Sequence, residues 1–118
     1  MRILLIEDEK EISNLYNELL SSNGFEVNTA FDGETGYQIA KEGDWDILLL
    51  DIMLPNKDGL EILDQIHSEG LTNSRKVVIL SNIENNEVSK KSQSLGAVKY
   101  VIKSEIKPSE LVDIVNSL

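Results

Sequence analysis

The chain has 118 residues, a formal net charge of −10, and 41% hydrophobic against 27% charged residues, which fits one globular domain with a single real core. Cysteine is absent, which excludes disulfides and thiolate metal sites, and no apolar run approaches the ~20 residues of a membrane span. The acidic surface repels nucleic acid, so no direct nucleic-acid binding by this domain is expected. The apolar stretch at the N-terminus is too short for a signal peptide and runs at once into carboxylates, so a cytoplasmic location without membrane attachment is the expectation.

In chain order, apolar runs alternate with helical patterns, with no repeat or linker. Residues 3–6, ILLI, form a short continuous apolar run, as expected of a strand covered on both faces. Ile12, Leu15, Tyr16, Leu19 and Leu20 then recur at the spacing of one buried helix face, and Gly24 sits where that helix should stop. Phe25 to Ala30 reads as a weaker, edge-type strand, and Gly33 to Glu42 as the second helix. Residues 47–50, ILLL, repeat the buried-strand pattern, and Leu60 to Glu69 is the third helix. Residues 77–80, VVIL, form a further buried strand. The fourth helix, Asn86 to Leu95, is poorly amphipathic and is expected to pack loosely. Val98 to Ile102 is a second edge strand. Leu111, Ile114, Val115 and Leu118 mark the last helix, with Pro108 suited to its first turn. Five βα units predict an α/β fold: a five-stranded parallel sheet, doubly wound, flavodoxin-like, with the common order 2-1-3-4-5.

That order makes the first and third strands neighbours, so their carboxyl ends converge. Glu7 and Asp8 follow the first and Asp51 follows the third, which places three carboxylates in one crevice. Such a group repels itself unless a hard cation is bound, and Mg²⁺ prefers oxygen ligands of this kind. Asp8 or Glu9 could instead cap the next helix, and Asp51 taken alone could be a solvated loop residue. The remaining tips favour a site: Ser81 ends the fourth strand and Lys103 ends the fifth.

Four segments carry a family resemblance: ILLIEDE at 3–9, LLLDIMLPNKDG at 48–59, VVILS at 77–81 and GAVKYVIKS at 96–104. Over its whole length the chain resembles the receiver domain of bacterial two-component response regulators. The 2-1-3-4-5 order is typified by the chemotaxis member of that family, so topology and resemblance count as one expectation. The resemblance implies a single receiver domain over 1–118 that contains no output domain. Asp51 is then the phosphoacceptor for a phosphohistidine on a sensor histidine kinase or a histidine phosphotransfer protein. The domain assists its own phosphorylation and slow dephosphorylation without being a turnover enzyme. The implied cofactor is Mg²⁺, with Mn²⁺ able to substitute, held by Asp8, Asp51, the Met53 carbonyl and, through water, Glu7. Lys103 pairs with Asp51 and then with the phosphoryl group, to which Ser81 also donates. Ser81 and Tyr100 form the switch, read out on the surface of the fourth helix, fifth strand and fifth helix. The reader is a downstream protein, an output domain or a second copy in a phosphorylation-dependent homodimer.

Some positions depart from the family pattern or tune it. Ser104 follows Lys103 where proline is common, which leaves the isomer of that peptide bond open. Asn82 follows Ser81 where a small residue is common. Met53 and Ile83, two beyond Asp51 and Ser81, are apolar and cannot orient a hydrolytic water, so the resemblance implies a long-lived phosphoryl group. His67 and the Lys90-Lys91 pair read as surface, Trp45 as packing. A flavin-binding relative of the fold is disfavoured by the acids after the first strand. A haloacid-dehalogenase-like phosphatase is disfavoured by Met53, where a second acid is needed. A receiver-like module that only binds partners remains the alternative.

Overall fold

The computed structural model describes residues 1–118, with elements in the order β1 (Arg2–Ile6), α1 (Lys10–Ser22), β2 (Glu26–Ala30), α2 (Gly33–Glu42), β3 (Ile47–Asp51), α3 (Gly59–Ser68), β4 (Lys76–Ser81), α4 (Asn86–Ser94), β5 (Ala97–Ile102) and α5 (Glu110–Asn116). All neighbouring strands pair in parallel, and the order is β2-β1-β3-β4-β5, as expected.

The continuous apolar runs have a simple cause. Successive strand residues point to opposite faces, and here both faces are covered. Leu4, Ile6, Leu48, Leu50, Val77 and Ile79 join a core of 13 buried residues with Ile62, Leu63 and Ile66 of α3. Ile3, Leu5, Ile47, Leu49, Val78, Leu80 and Val101 join a second core of 12 with Tyr16 and Leu20 of α1 and Leu111, Val112 and Val115 of α5.

Capping and turns set the connections. Asp32, Asp58 and Asn85 each accept an amide from the first turn of α2, α3 and α4. Gly24 closes α1 at φ +93°, a conformation that favours glycine. At the amino end of the sheet Arg75 donates to the carbonyls of Trp45, Leu71 and Gly43 and lies over the Trp45 ring. Trp45 is buried and donates to the Ala40 carbonyl at 2.9 Å, so its packing role is as read.

Two helices differ from expectation in detail. On α1 Leu15 is 42% exposed, whereas Ser13 is fully buried beside Tyr16 and Leu20. The inward stripe is narrower than the apolar pattern: Tyr16 and Leu20 are buried, and Ile12 and Leu19 only partly so. On α5 Val112 is buried, whereas Ile114 and Leu118 only partly are. Pro108 stands in the turn before α5 and not in its first turn, because a short 3-10 turn over Lys103–Glu105 delays the helix to Glu110. The fourth helix is thinly packed, as expected: Ser92 is its one buried residue.

The Ser13 hydroxyl is buried and has no hydrogen-bond partner. Ser13→Ala removes that unpaired group and raises helix propensity, so it should stabilise the protein by about 0.5–1 kcal/mol, measured by urea unfolding.

Candidate functional site

The register of the sheet builds the site. Ile6 pairs with Leu50, so the next residues, Glu7 and Asp51, emerge side by side at the carboxyl edge. Alternation decides the face. Ile3 and Leu5 precede Glu7 on the α1/α5 side, Ile47 and Leu49 precede Asp51, and Val101 precedes Lys103. All three charged side chains therefore fall under the same helices. They are nearly sealed: Glu7 is 0%, Asp51 3% and Lys103 8% exposed.

Lys103 Nζ donates to Glu7 Oε1 at 2.5 Å and to Asp51 Oδ2 at 3.1 Å. The second oxygen of Glu7 accepts the Glu9 amide at 3.1 Å, and Asp51 Oδ1 accepts the Met53 amide at 3.3 Å. Asp8 is more open, and one carboxylate oxygen from each of Glu7, Asp8 and Asp51 lies within 4.8 Å of the others. Glu9 makes no capping bond to α1 from its side chain. The cluster, not helix capping, accounts for these acids.

Charge is unbalanced here. Three carboxylates face one ammonium, which leaves two negative charges uncompensated. Burial pushes the Asp51 carboxyl up to about 6, the Glu7 carboxylate pushes the same way, and Lys103 opposes both. Burial alone would depress the Lys103 ammonium. Its bond to Glu7 and the fields of Asp51 and Glu7 outweigh that and hold it above its ordinary value. The donor set is all oxygen, it is pre-gathered, and its net charge matches a divalent cation, so these residues fit Mg²⁺ or Mn²⁺.

Ser81 and Tyr100 have other partners. Ser81 follows Val77 and Ile79 on the opposite face, the face against which Tyr100 packs. The Ser81 hydroxyl donates to the Ile83 carbonyl at 3.0 Å and accepts the Ile83 amide at 3.2 Å. Tyr100 donates to that same carbonyl at 2.9 Å. The structure thus joins Glu7, Asp8, Asp51 and Lys103 in one cluster and ties Ser81 to Tyr100 in another. Asn82 is exposed beside Ser81, and Met53 and Ile83 are 67% and 54% exposed at the rim. No peptide bond is cis, so Lys103–Ser104 is trans. His67 is exposed and bonds to Thr72, and Lys90 and Lys91 are exposed, as read.

The response regulator receiver domain family matches residues 3–116. The chain belongs to that family. This receiver is 36% identical over 103 residues to the transcriptional regulatory protein DltR of Streptococcus agalactiae serotype III (strain NEM316). That match covers 87% of the chain but 45% of DltR, so the receiver spans about half the length of that curated relative. A CheY-like receiver domain protein from Methanospirillum hungatei JF-1 superposes with a TM-score of 0.89 at 26% identity, covering 98% of this chain and 90% of the other. The BeF3-activated DrrB receiver domain gives 0.82 at 28% identity, covering 98% and 94%. No helix is long and apolar enough to cross a membrane.

The Glu7–Lys103 bond, shorter than the Asp51–Lys103 bond, was not foreseen. Its signal was in the strand alternation, which carries Glu7 on from Ile3 and Leu5. That Ser81 and Asp51 take opposite faces was equally legible, since their strand positions have opposite parity in the aligned register.

A raised carboxylate pKa has a defined consequence. Between its ordinary 3.8 and about 6 the folded protein binds a proton that the unfolded chain does not, so Asp51 costs stability increasingly as pH rises through that window. In chelator, Asp51→Asn should be more stable than wild type above pH 6 by about 1–3 kcal/mol, with the difference shrinking toward pH 4. Added Mg²⁺ should stabilise wild type by mass action and Asp51→Asn far less. Thermal unfolding across pH, with and without Mg²⁺, measures both.

Proposed function

We propose that this receiver takes a phosphoryl group onto Asp51 from a phosphohistidine, in a reaction that needs a divalent cation. The observation that carries the reading is the buried cluster of Glu7, Asp51 and Lys103 at adjoining strand ends, with Asp8 completing an acidic set. An Asp51 oxygen forms the bond to phosphorus. The bond from phosphorus to the donor imidazole nitrogen breaks, and its electron pair leaves with the imidazole. Glu7, Asp8, Asp51 and the Met53 carbonyl are the groups that would hold Mg²⁺, Glu7 through water. When bound, the cation supplies positive charge to the transferring phosphoryl oxygens.

The chain's own residues do the rest. Burial under α1 and α5 excludes water from Asp51, while the Met53 amide and Lys103 orient its two oxygens. Lys103 is anchored by Glu7, so it keeps a partner when it turns from the carboxylate to a phosphoryl oxygen. Ser81 reaches the phosphoryl group by leaving the Ile83 backbone. Tyr100 then leaves the Ile83 carbonyl and swings inward behind Ser81, which biases the β4–α4 loop and the α4, β5, α5 surface. The donor is a sensor histidine kinase or a histidine phosphotransfer protein. The reader of that surface is a downstream protein, an output domain such as a longer regulator would carry, or a second phosphorylated copy.

Incubation with Mg²⁺ and acetyl phosphate should add one phosphoryl mass to wild type and none to Asp51→Ala, as read by intact-mass spectrometry. No gain in wild type would point instead to a module that only binds partners. Exposed Met53 and Ile83 offer no hydrogen bond to a hydrolytic water. The acyl phosphate should therefore persist for minutes in Mg²⁺, and Met53→Asn with Ile83→Glu should shorten it. Loss within seconds from wild type would contradict the assignment.

A further inference from the structure

The loop between β3 and α3 carries Met53, and it is fastened at both ends. At the far end the Gly59 amide donates to the Ile52 carbonyl at 2.8 Å. A Cβ on Gly59 would stand 2.2 Å from the Asp51 carbonyl oxygen, so α3 starts in direct contact with the phosphoacceptor's backbone.

The middle of the loop is strained. Asn56 is the one non-glycine residue at positive φ, 71°. Around it the Lys57 amide donates to the Pro55 carbonyl at 2.8 Å, two residues back. That is a γ-turn of the rare, strained hand. A strained turn persists only where its surroundings over-determine it. The surroundings here are the start of α2. The Gly33 amide donates to the same Pro55 carbonyl at 3.1 Å, and a Cβ on Gly33 would lie 1.6 Å from the Lys57 carbonyl oxygen. Between these two fastenings the Met53 amide meets Asp51 Oδ1 at 3.3 Å, a bond long enough that a small shift of the loop breaks it.

We infer that Asn56 and Gly33 are positioning residues for the phosphoacceptor: the Asn56 γ-turn, pinned by the first residue of α2, holds the loop so that the Met53 backbone meets Asp51. Neither residue makes a hydrogen bond with Asp51. The inference rests on the function proposed above for Asp51, and it makes the β2–α2 connection part of the apparatus that sets metal affinity. Asn56 contributes its tolerance of positive φ, so glycine should replace it and a β-branched residue should not.

The test uses Asn56→Gly, Asn56→Val, Gly33→Ala and, as a control that weakens α2 away from the loop, Ala40→Gly. Calorimetric Mg²⁺ titration should give near wild-type binding for Asn56→Gly and Ala40→Gly. It should give about fivefold or greater weakening for Asn56→Val and Gly33→Ala. In metal-free protein the Met53 amide should exchange hydrogen faster in the last two variants only. If Gly33→Ala fails to fold, Asn56→Val decides alone. The inference is overturned if Asn56→Val loses stability yet keeps wild-type Mg²⁺ affinity and Met53 exchange, or if Asn56→Gly loses as much as Asn56→Val. If wild type binds no Mg²⁺, the proposed function fails, and Met53 exchange still decides the positioning claim.

Discussion

Two carboxylates and one ammonium are withdrawn from water at the edge of this sheet, and their mutual arrangement constrains everything around them. Burying charge is costly, and taking one partner from a buried pair costs more than the pair contributes. Lys103 is divided between Glu7 and Asp51, so neither acid is fully neutralised. Such a point survives only in a rigid housing. The leucines and isoleucines of β1 and β3, packed on both faces, supply it. Their register is what sets Glu7 beside Asp51.

The same alternation divides labour between the two faces of the sheet. Odd positions along β1 and β3 lead to the charged cluster under α1 and α5. The other set leads through Val77 and Ile79 to Ser81, and so to Tyr100 and α4. The charged cluster and the Ser81 and Tyr100 side chains therefore fall on opposite faces of one sheet, the latter two meeting at the Ile83 carbonyl.

Fold order, strand extents and the acidic crevice were legible because each depends on a pattern spread over many residues. Single positions were harder. The apolar pattern puts Leu15 on the buried face of α1, yet Leu15 is exposed, and Ser13, a polar residue outside that pattern, is buried. On α5 the pattern marks Ile114, yet Val112 is the buried residue and Ile114 packs only partly against the same core. Met53, Asn82 and Ile83 follow directly on the ends of β3 and β4 and are all exposed or partly exposed there. The γ-turn at Asn56 left no sequence signal beyond a proline and an asparagine in a loop.

Packing is uneven over the molecule. Arg75, spread over three carbonyls and the Trp45 ring, locks the amino end of the sheet. By contrast α4 sinks one side chain, Ser92, and that one is small. Almost none of its sequence is claimed by the core. Substitutions along it should be nearly free in folding terms, so the thin packing of α4 leaves a helical face whose sequence can change without endangering the scaffold.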